Sequence, residues 1–243
     1  MEDCFLSIII PAYNEEKRLL PTLDQICKYL SRQNYPYEVI VVDDGSTDNT
    51  LQIARDSANS NGHIVVLTNG QNRGKGYTVR NGMLSAKGKY VFFTDADLST
   101  PIEELEKCLP YLIINGYDVI IGSRSLPESD IIIHQPWYRE IMGKTFNFIV
   151  NMLLLRGIID TQCGFKGFKR EVVKKVFSKC KIDGFSFDVE ARYLSRKLNY
   201  KIKEVPIRWR NSALSKVSPV KHSIQMFKDL INIKIKDFKG CYK

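Results

Sequence analysis

The sequence predicts an α/β fold in which a mostly parallel sheet is flanked by helices within one domain. Over residues 1–122, short apolar runs rich in β-branched and aromatic residues alternate with longer segments of helical periodicity. This alternation is typical of parallel sheets covered on both faces. A chain of 243 residues can build one domain with a full hydrophobic core. No linker-like stretch separates residues 1–122 from residues 123–243, so we treat them as two halves of a single domain.

The first half is predicted to contain five strands and four helices. The strands are Leu6–Ile10, Glu38–Val42, His63–Leu67, Tyr90–Thr94 and Val119–Ile121, each too short to be a buried helix. The helices between them are Glu15–Ser31, Asp48–Ala58, Gly76–Ala86 and Pro101–Asn115. Ser46 is a candidate N-cap, and Pro101 suits a first helical turn, which does not use its backbone N–H.

The second half shows a looser pattern. The segment Trp137–Leu155 is helical in composition with a broad apolar face, and Pro219–Phe238 is predicted to be a basic amphipathic helix. Two strands, Gly164–Phe168 and Lys201–Val205, are predicted on either side of a helix at Phe187–Lys197. This arrangement continues the α/β pattern of the first half.

Charge is divided unevenly along the chain, whose net charge is +9. Residues 166–243 contain 21 Lys and Arg against 7 Asp and Glu, whereas residues 1–165 are net acidic. An acidic half joined to a basic half suits a protein that binds a cation and phosphates, although a solvated Lys-rich surface would give the same count. No nucleic-acid-binding signature is present, so we expect no nucleic acid partner. The six widely spaced cysteines contain no CxxC pair and indicate reduced thiols in a cytosolic compartment.

Four polar segments follow the first four predicted strands. They are Pro11–Glu15, Asp43–Ser46, Asn72–Gly76 and Asp95–Asp97. Because the carboxyl ends of parallel strands meet at one edge of a sheet, ligands bind there. The sequence therefore predicts that these four loops form one binding site.

Asp95 and Asp97 are the strongest chemical signal. The two carboxylates lie one residue apart at the end of the apolar strand YVFFT, where both can turn toward one divalent cation. Hard oxygen ligands suit Mg²⁺ or Mn²⁺, which would complete its coordination with water and a substrate diphosphate. We therefore predict an Mg²⁺ or Mn²⁺ site at this pair.

Two further loops could serve either the fold or a ligand. Asp43 and Asp44 begin a strand-to-helix turn, and one of their carboxylates could also bind a ribose or a base. Lys75 stands between two glycines in a loop whose backbone N–H groups suit a ribose or a phosphate, but it could be only a turn residue.

Taken in order, the motifs PAYNE, VVDDGS, NRGKG, TDAD, GSR, DTQCGFK and a late R-x-x-x-x-x-K resemble those of inverting glycosyltransferases with the GT-A fold. Within that family, DTQCGFK together with FDVE resembles the branch of dolichyl-phosphate glucose and mannose synthases and other polyprenyl-phosphate glycosyltransferases. The resemblance covers essentially the whole chain. It implies a nucleotide-sugar-binding half at 1–122 and an acceptor- and membrane-facing half at 123–243.

The resemblance also implies a role for each matching residue. Around the nucleotide-sugar, it places Pro11, Tyr13, Glu15, Asp43 and the Ala96 backbone. Asp95 and Asp97 would hold the metal, and Asp97 would act at the reaction centre. There it also places Arg124 and Gln162, with the pair Arg210 and Lys216 closing over the donor diphosphate. Ser99 stands where some mannose-transferring enzymes have Gln, which favours glucose over mannose.

The implied reaction moves a hexose from a nucleotide-sugar donor to a dolichyl or other polyprenyl phosphate. A phosphate acceptor is largely dianionic at pH 7 and needs no general base, whereas charge builds up on the departing diphosphate. A metal-dependent hexosyltransferase of this kind is expected at the cytoplasmic face of a membrane. The aromatic residues of Trp137–Leu155 could lie in the headgroup region, or could pack in the core. The contact of the enzyme with the membrane would be peripheral, or would depend on a separate membrane-protein partner.

Three alternatives remain open at this stage. A related enzyme could glycosylate a saccharide or protein hydroxyl, for which Asp188 or Glu190 would serve as the general base. The sugar could be mannose. A nucleotide-sugar-binding regulator without turnover is also compatible with part of the pattern, although it would have little need of both the acidic and the basic pair.

Overall fold

The computed structural model of the chain describes residues 4–154, 157, 160–212 and 219–242. Its strands are β1 (Leu6–Ala12), β2 (Tyr37–Asp43), β3 (Ile64–Thr68), β4 (Tyr90–Phe93), β5 (Val119–Ser123), β6 (Asp130–Ile133), β7 (Lys166–Lys169), β8 (Ile202–Pro206) and β9 (Arg208–Arg210). Its α-helices are α1 (Leu19–Leu30), α2 (Thr50–Ser60), α3 (Lys75–Ser85), α4 (Leu105–Ile113), α5 (Trp137–Leu153), α6 (Arg170–Phe177), α7 (Phe187–Lys197) and α8 (Pro219–Phe238). A short 3-10 turn, Ile102–Glu104, precedes α4, so the α-helix predicted from Pro101 begins only at Leu105.

The predicted α/β architecture is confirmed. Within the described ranges, seven strands form one sheet in the order β3-β2-β1-β4-β7-β5-β8, in which only β7 runs antiparallel to its neighbours. Strands from both halves of the chain share this sheet. The strand order changes direction at β1, which lies between β2 and β4, and such a switch point opens a crevice for ligands.

The core has two layers because successive residues of each strand point to opposite faces of the sheet. In β1, Ile9 packs toward the layer that contains α3, α6 and α7, whereas Ile8 and Ile10 pack toward α1, α2 and α4. All three isoleucine side chains are fully buried. Burial on both faces explains why the central strands are nearly continuous apolar runs.

Two other predicted helix starts are wrong, and both lie in loops that are hydrogen-bonded to each other. The helix predicted from Glu15 begins at Leu19, and the one predicted from Asp48 begins at Thr50. The backbone N–H of Glu15 donates to the Thr50 hydroxyl at 2.6 Å, and that of Asn14 to the Ser46 hydroxyl at 2.9 Å. Ser46 therefore joins two loops and does not cap α2. The first N–H groups of a helix have no partner within it, and here side chains of the second loop accept those of Asn14 and Glu15.

The structure adds three elements that the sequence reading missed. Helix α6 buries Val172, Val173, Val176 and Phe177, a helical spacing that was present in the sequence. Strands β6 and β9 form a separate parallel pair. They are too short to show a periodic pattern, and their pairing joins residues about 80 positions apart, as Asp130 opposite Arg208 shows.

Candidate active site

A cavity of about 410 Å³ opens at the carboxyl ends of β1, β2 and β4. The predicted convergence of four loops on one site is therefore found. Its lining includes these residues singled out from the sequence: Pro11, Tyr13, Glu15, Asp44, Lys75, Asp95, Ala96 and Asp97. Asp43 does not line it. Asn72, from one of the four predicted loops, also lines it, as do Arg18, Thr78 and Phe185, which were not predicted.

A second cavity of about 270 Å³ adjoins the first and shares Lys75, Asp95 and Asp97 with it. Arg124 and Gln162 line this second cavity, so the structure brings these residues of the second half next to the acidic pair. Residues of α5 and α8, among them Phe146 and Met226, form another part of its wall. The two cavities thus meet at the acidic pair. We call them the inner cavity, which contains Pro11 and Tyr13, and the outer cavity, which contains Arg124 and Gln162.

Two other predicted residues are placed differently. Arg210 is exposed and its side chain lines neither cavity, although its backbone N–H donates to the Ser99 carbonyl at 2.9 Å. Lys216 lies outside the described residues. The predicted action of this pair on the donor diphosphate stays a prediction.

A sharp turn directs both acidic side chains toward the cavities. Leu98 has φ of +44°, in the left-handed region, and its N–H donates to the Asp95 carbonyl at 3.1 Å. The Ala96 carbonyl accepts a hydrogen bond from the Thr22 hydroxyl at 2.8 Å. The Asp97 carboxylate accepts the Ser99 N–H at 3.0 Å. The turn is therefore held on both sides.

Basic side chains neutralise the acidic pair in this structure. Lys75 Nζ lies 2.6 Å from Asp95 Oδ1, and an Arg18 nitrogen lies 3.4 Å from Asp97 Oδ2. Arg18 is itself held by Glu15 at 2.5 Å. Nothing in the sequence indicated Arg18, because it falls inside a segment predicted as helix.

The Asp95 carboxylate can occupy its position only because residue 164 is glycine and has no side chain there. A Cβ atom at residue 164 would lie 1.9 Å from Asp95 Oδ2, far inside van der Waals contact. The glycine of DTQCGFK therefore has a steric role that comes from tertiary contact with a strand end about 70 residues away in sequence.

The donor set of the acidic pair fits a divalent cation. Among the described residues there is no cluster of three or more His, Cys, Asp or Glu that could enclose a metal. Mg²⁺ commonly takes only one or two protein carboxylates and fills its remaining positions with water and substrate phosphate oxygens. Two partly exposed carboxylates at the junction of two cavities match that requirement.

Asp43 and Asp44 organise loops around the inner cavity. Asp43 is buried and accepts hydrogen bonds from the N–H groups of Gly45 and Ser46. Asp44 accepts the N–H groups of Arg73 and Gly74, each at 2.9 Å, and so fixes the loop that carries Lys75. The turn-forming interpretation is therefore confirmed for this pair. The predicted contact of Asp43 with a ribose or base stays a prediction.

Arg124 is fixed by a buried carboxylate. Its guanidinium makes two hydrogen bonds to Asp160, at 2.7 and 2.8 Å, and lies 5.3 Å from the centre of the Trp209 ring. Burial acts to raise the pKa of Asp160, but Arg124 and its hydrogen bonds lower it well below the ordinary value. Asp160 thus remains a carboxylate and holds Arg124 in one orientation at the outer cavity.

The two candidate bases differ in their surroundings. Glu190 is fully buried and accepts the N–H groups of Lys181 and Ile182, each at 2.8 Å, together with the Tyr242 hydroxyl. It lines neither cavity, so it anchors the backbone and the C-terminal segment. Asp188 lines the outer cavity.

Comparison with known proteins places the chain among glycosyltransferases. Residues 7–177 match the sequence model of the family described as Glycosyl transferase family 2. The dolichyl-phosphate beta-glucosyltransferase of Dictyostelium discoideum is 37% identical over 254 residues, which cover 100% of this chain and 78% of that protein. The human dolichyl-phosphate beta-glucosyltransferase is 36% identical over 250 residues, covering 98% and 77%.

Solved structures share the fold at lower identity. Glucosyl-3-phosphoglycerate synthase from Mycobacterium tuberculosis, crystallised with Mn²⁺, uridine diphosphate and glucosyl-3-phosphoglycerate, is 18% identical with a TM-score of 0.68, covering 95% of this chain and 80% of that one. Mannosyl-3-phosphoglycerate synthase from Rubrobacter xylanophilus is 19% identical with a TM-score of 0.69, covering 98% and 74%. At these identities the likeness supports the fold alone.

Proposed function

The chain belongs to glycosyl transferase family 2, and on that premise we propose that it transfers glucose from a nucleoside diphosphate glucose to dolichyl phosphate or a similar polyprenyl phosphate. The observation that carries the proposal is the meeting of two cavities at Asp95 and Asp97. A donor in the inner cavity would place its reacting carbon at this junction. An acceptor phosphate could approach from the outer cavity. The names of the relatives, dolichyl-phosphate beta-glucosyltransferases, support glucose rather than mannose.

We assign the inner cavity to the nucleotide-sugar. Asp95 and Asp97 would hold Mg²⁺ or Mn²⁺, which when bound would neutralise charge on the departing diphosphate. Lys75 is already within 2.6 Å of Asp95 and adds positive charge at the same place. Pro11, Tyr13 and Glu15 also line this cavity, and the base and ribose would lie against them. Arg210 and Lys216 are proposed to reach the diphosphate once the donor is bound.

We assign the outer cavity to the acceptor phosphate. Arg124 presents a fixed guanidinium there, and a guanidinium often binds a phosphate through two parallel N–H···O hydrogen bonds. Because the acceptor phosphate is largely dianionic at neutral pH, its attack needs orientation more than proton removal. Gln162, on the same wall, could donate to the phosphate or to the sugar. A regulator that only binds nucleotide-sugar would not need a second cavity that presents a guanidinium.

The two helices α5 and α8 carry exposed apolar faces that suit the lipid surroundings of the acceptor. Exposed apolar side chains lie along one face of α5 and one face of α8, and both helices line the outer cavity. On α5 they are Trp137, Ile141, Phe148 and Met152. On α8 they are Ile224, Phe227, Ile231, Ile235 and Phe238. The helical spacing puts Lys228 and Lys234 on either side of the α8 face, where they could reach anionic headgroups.

We propose that these two faces contact the cytoplasmic surface of a membrane peripherally. None of the helices in the described part of the chain has the length and apolar character to cross a bilayer. Dependence on a separate membrane-protein partner stays a prediction.

Transfer is tested with purified protein, Mg²⁺ or Mn²⁺, a polyprenyl phosphate and a panel of radiolabelled nucleotide-sugars. We expect label to enter the organic phase from one glucose donor, and EDTA to stop the reaction. If label entered the organic phase from GDP-mannose alone, the transferred sugar would be mannose and not glucose. Transfer to a free saccharide or peptide hydroxyl instead of the lipid would support the alternative in which Asp188 is a base. The absence of transfer from every donor would contradict the proposed function.

Membrane contact is tested by sedimentation with vesicles that contain anionic lipid. Replacing Trp137 and Phe148 by Ser removes large exposed apolar area, so binding is expected to fall by about tenfold or more. Ile114→Ser is the matched control, because Ile114 is 78% exposed but follows α4, away from both cavities. Equal binding of the double variant and the control would contradict the assignment of this surface.

A further inference from the structure

A buried ion pair lies behind the outer cavity. Lys166 Nζ is 3.1 Å from Asp188 Oδ2, and the two side chains are only 2% and 9% exposed. Lys166 also donates to the Cys163 carbonyl at 2.5 Å and lies over the Phe93 ring. Burying two charges carries a desolvation penalty that their attraction often fails to offset, so such a pair is weak evidence of a stabilising role. Asp188 lines the outer cavity whereas Lys166 does not, and this position of Asp188 points to a role in binding.

One oxygen of Asp188 is left for a ligand. Its Oδ1 atom is buried and accepts no hydrogen bond from any residue that the structure describes. Buried carboxylate oxygens are almost always paired, because an unpaired one loses its hydration without return. Asp188 lines the outer cavity together with Lys75 and Asp95, so its side chain belongs to the wall against which a molecule at the junction of the cavities would lie.

The chemistry of this oxygen restricts its partner. A carboxylate attracts O–H and N–H donors and repels anions, so it does not suit the diphosphate or the acceptor phosphate. The lipid chain has no donor. Besides water on the cation, the remaining donors near the reacting carbon are the hydroxyl groups of the transferred sugar, which are the donors that the substrate itself supplies.

We propose that Asp188 Oδ1 accepts a hydrogen bond from a hydroxyl group of the transferred hexose and thereby contributes to the selection of the sugar. This inference rests on the proposed function, since it takes the junction of the cavities as the sugar position. Lys166 acts as a positioning residue, holding the other carboxylate oxygen. The role differs from that of a general base, since it depends on one particular sugar hydroxyl and not on the proton of the acceptor.

The first test measures kcat/KM for the parent and Asp188→Asn proteins with the glucose donor and its 2-, 3-, 4- and 6-deoxy analogues. We expect Asp188→Asn to lose about 10- to 100-fold with the glucose donor, as expected for a hydrogen bond to a charged group. With the parent protein, kcat/KM for one deoxy donor should be lower than that for the glucose donor by a similar factor. With Asp188→Asn, the same two donors should differ in kcat/KM by less than about threefold. If the effect of Asp188→Asn on kcat/KM multiplied with the effect of the missing hydroxyl for all four analogues, the proposal would be overturned.

The second test is independent of transfer. Calorimetry compares the binding of the nucleoside diphosphate alone with that of the glucose donor. Asp188→Asn should weaken only the donor, leaving the diphosphate affinity within about twofold of the parent value. Asp118→Asn is the matched control, because Asp118 forms an ion pair with Lys169 at 2.9 Å at the opposite edge of the sheet.

The outcomes separate the two proposals. If the parent protein did not glycosylate the lipid but Asp188→Asn selectively weakened donor binding, the proposed function would be wrong and the sugar contact would be supported. Equal weakening of both ligands would show that Asp188 has a structural role or holds only water, and would overturn the inference.

Discussion

Asp97→Asn is expected to lower kcat by about 10³-fold, because the neutral amide is a poor ligand for a divalent cation and leaves charge on the departing diphosphate uncompensated. The substitution keeps the size of the side chain, and the amide oxygen that it introduces can still accept the Ser99 N–H that the carboxylate accepts at 3.0 Å. The fold should therefore survive. Steady-state transfer at increasing Mg²⁺ or Mn²⁺ concentration measures the effect, with circular dichroism as the check on folding.

Two further variants separate the effect of charge from that of geometry. Gly164→Ala retains both carboxylates but places a Cβ 1.9 Å from the Asp95 oxygen, so it should also lower activity by displacing that side chain. Asp56→Asn removes an exposed carboxylate of α2 and should leave the rate unchanged. If Asp97→Asn turned over at the parent rate, the metal role of the pair would be wrong.

Arg124→Gln has the second large expected effect, which falls on both activity and stability. The substitution removes the fixed guanidinium that we assign to the acceptor phosphate, and should reduce kcat/KM for the polyprenyl phosphate by about 10²-fold. It also leaves Asp160 buried without its cation, since the Asp160 side chain is 0% exposed. Breaking a buried pair in this way destabilises by about 3–5 kcal/mol.

A double variant separates these two effects. Arg124→Gln with Asp160→Asn removes both charges and should recover most of the lost free energy of unfolding without recovering activity. Thermal unfolding and acceptor titrations measure the two quantities. Arg55→Gln, an exposed change on α2, is the control. Recovery of activity in the double variant would mean that Arg124 acts only through the fold, and would contradict its assignment to the acceptor.

Local sequence patterns predicted much of the fold because the central strands are buried on both faces. Their runs of β-branched residues, the helical spacing between them and the polar segments at their ends identified the sheet, the inner cavity and the acidic pair. Helix starts were less accurate where two loops distant in sequence bond to each other, as the Glu15 N–H and the Thr50 hydroxyl do. Propensity in a short window contains no information on such contacts.

The sequence by itself predicted which residues would carry the chemistry: residue type and position at strand ends pointed to the acidic pair and Lys75, and resemblance to a family pointed to Arg124 and Gln162. Only the tertiary structure decided how they are held. Arg18 reaches Asp97 across 79 positions, and Gly164 makes room for Asp95. The buried Lys166 and Asp188 pair was equally invisible in the sequence. Each of these depends on burial and on distances between side chains, which are properties of the packed chain and of no short segment within it.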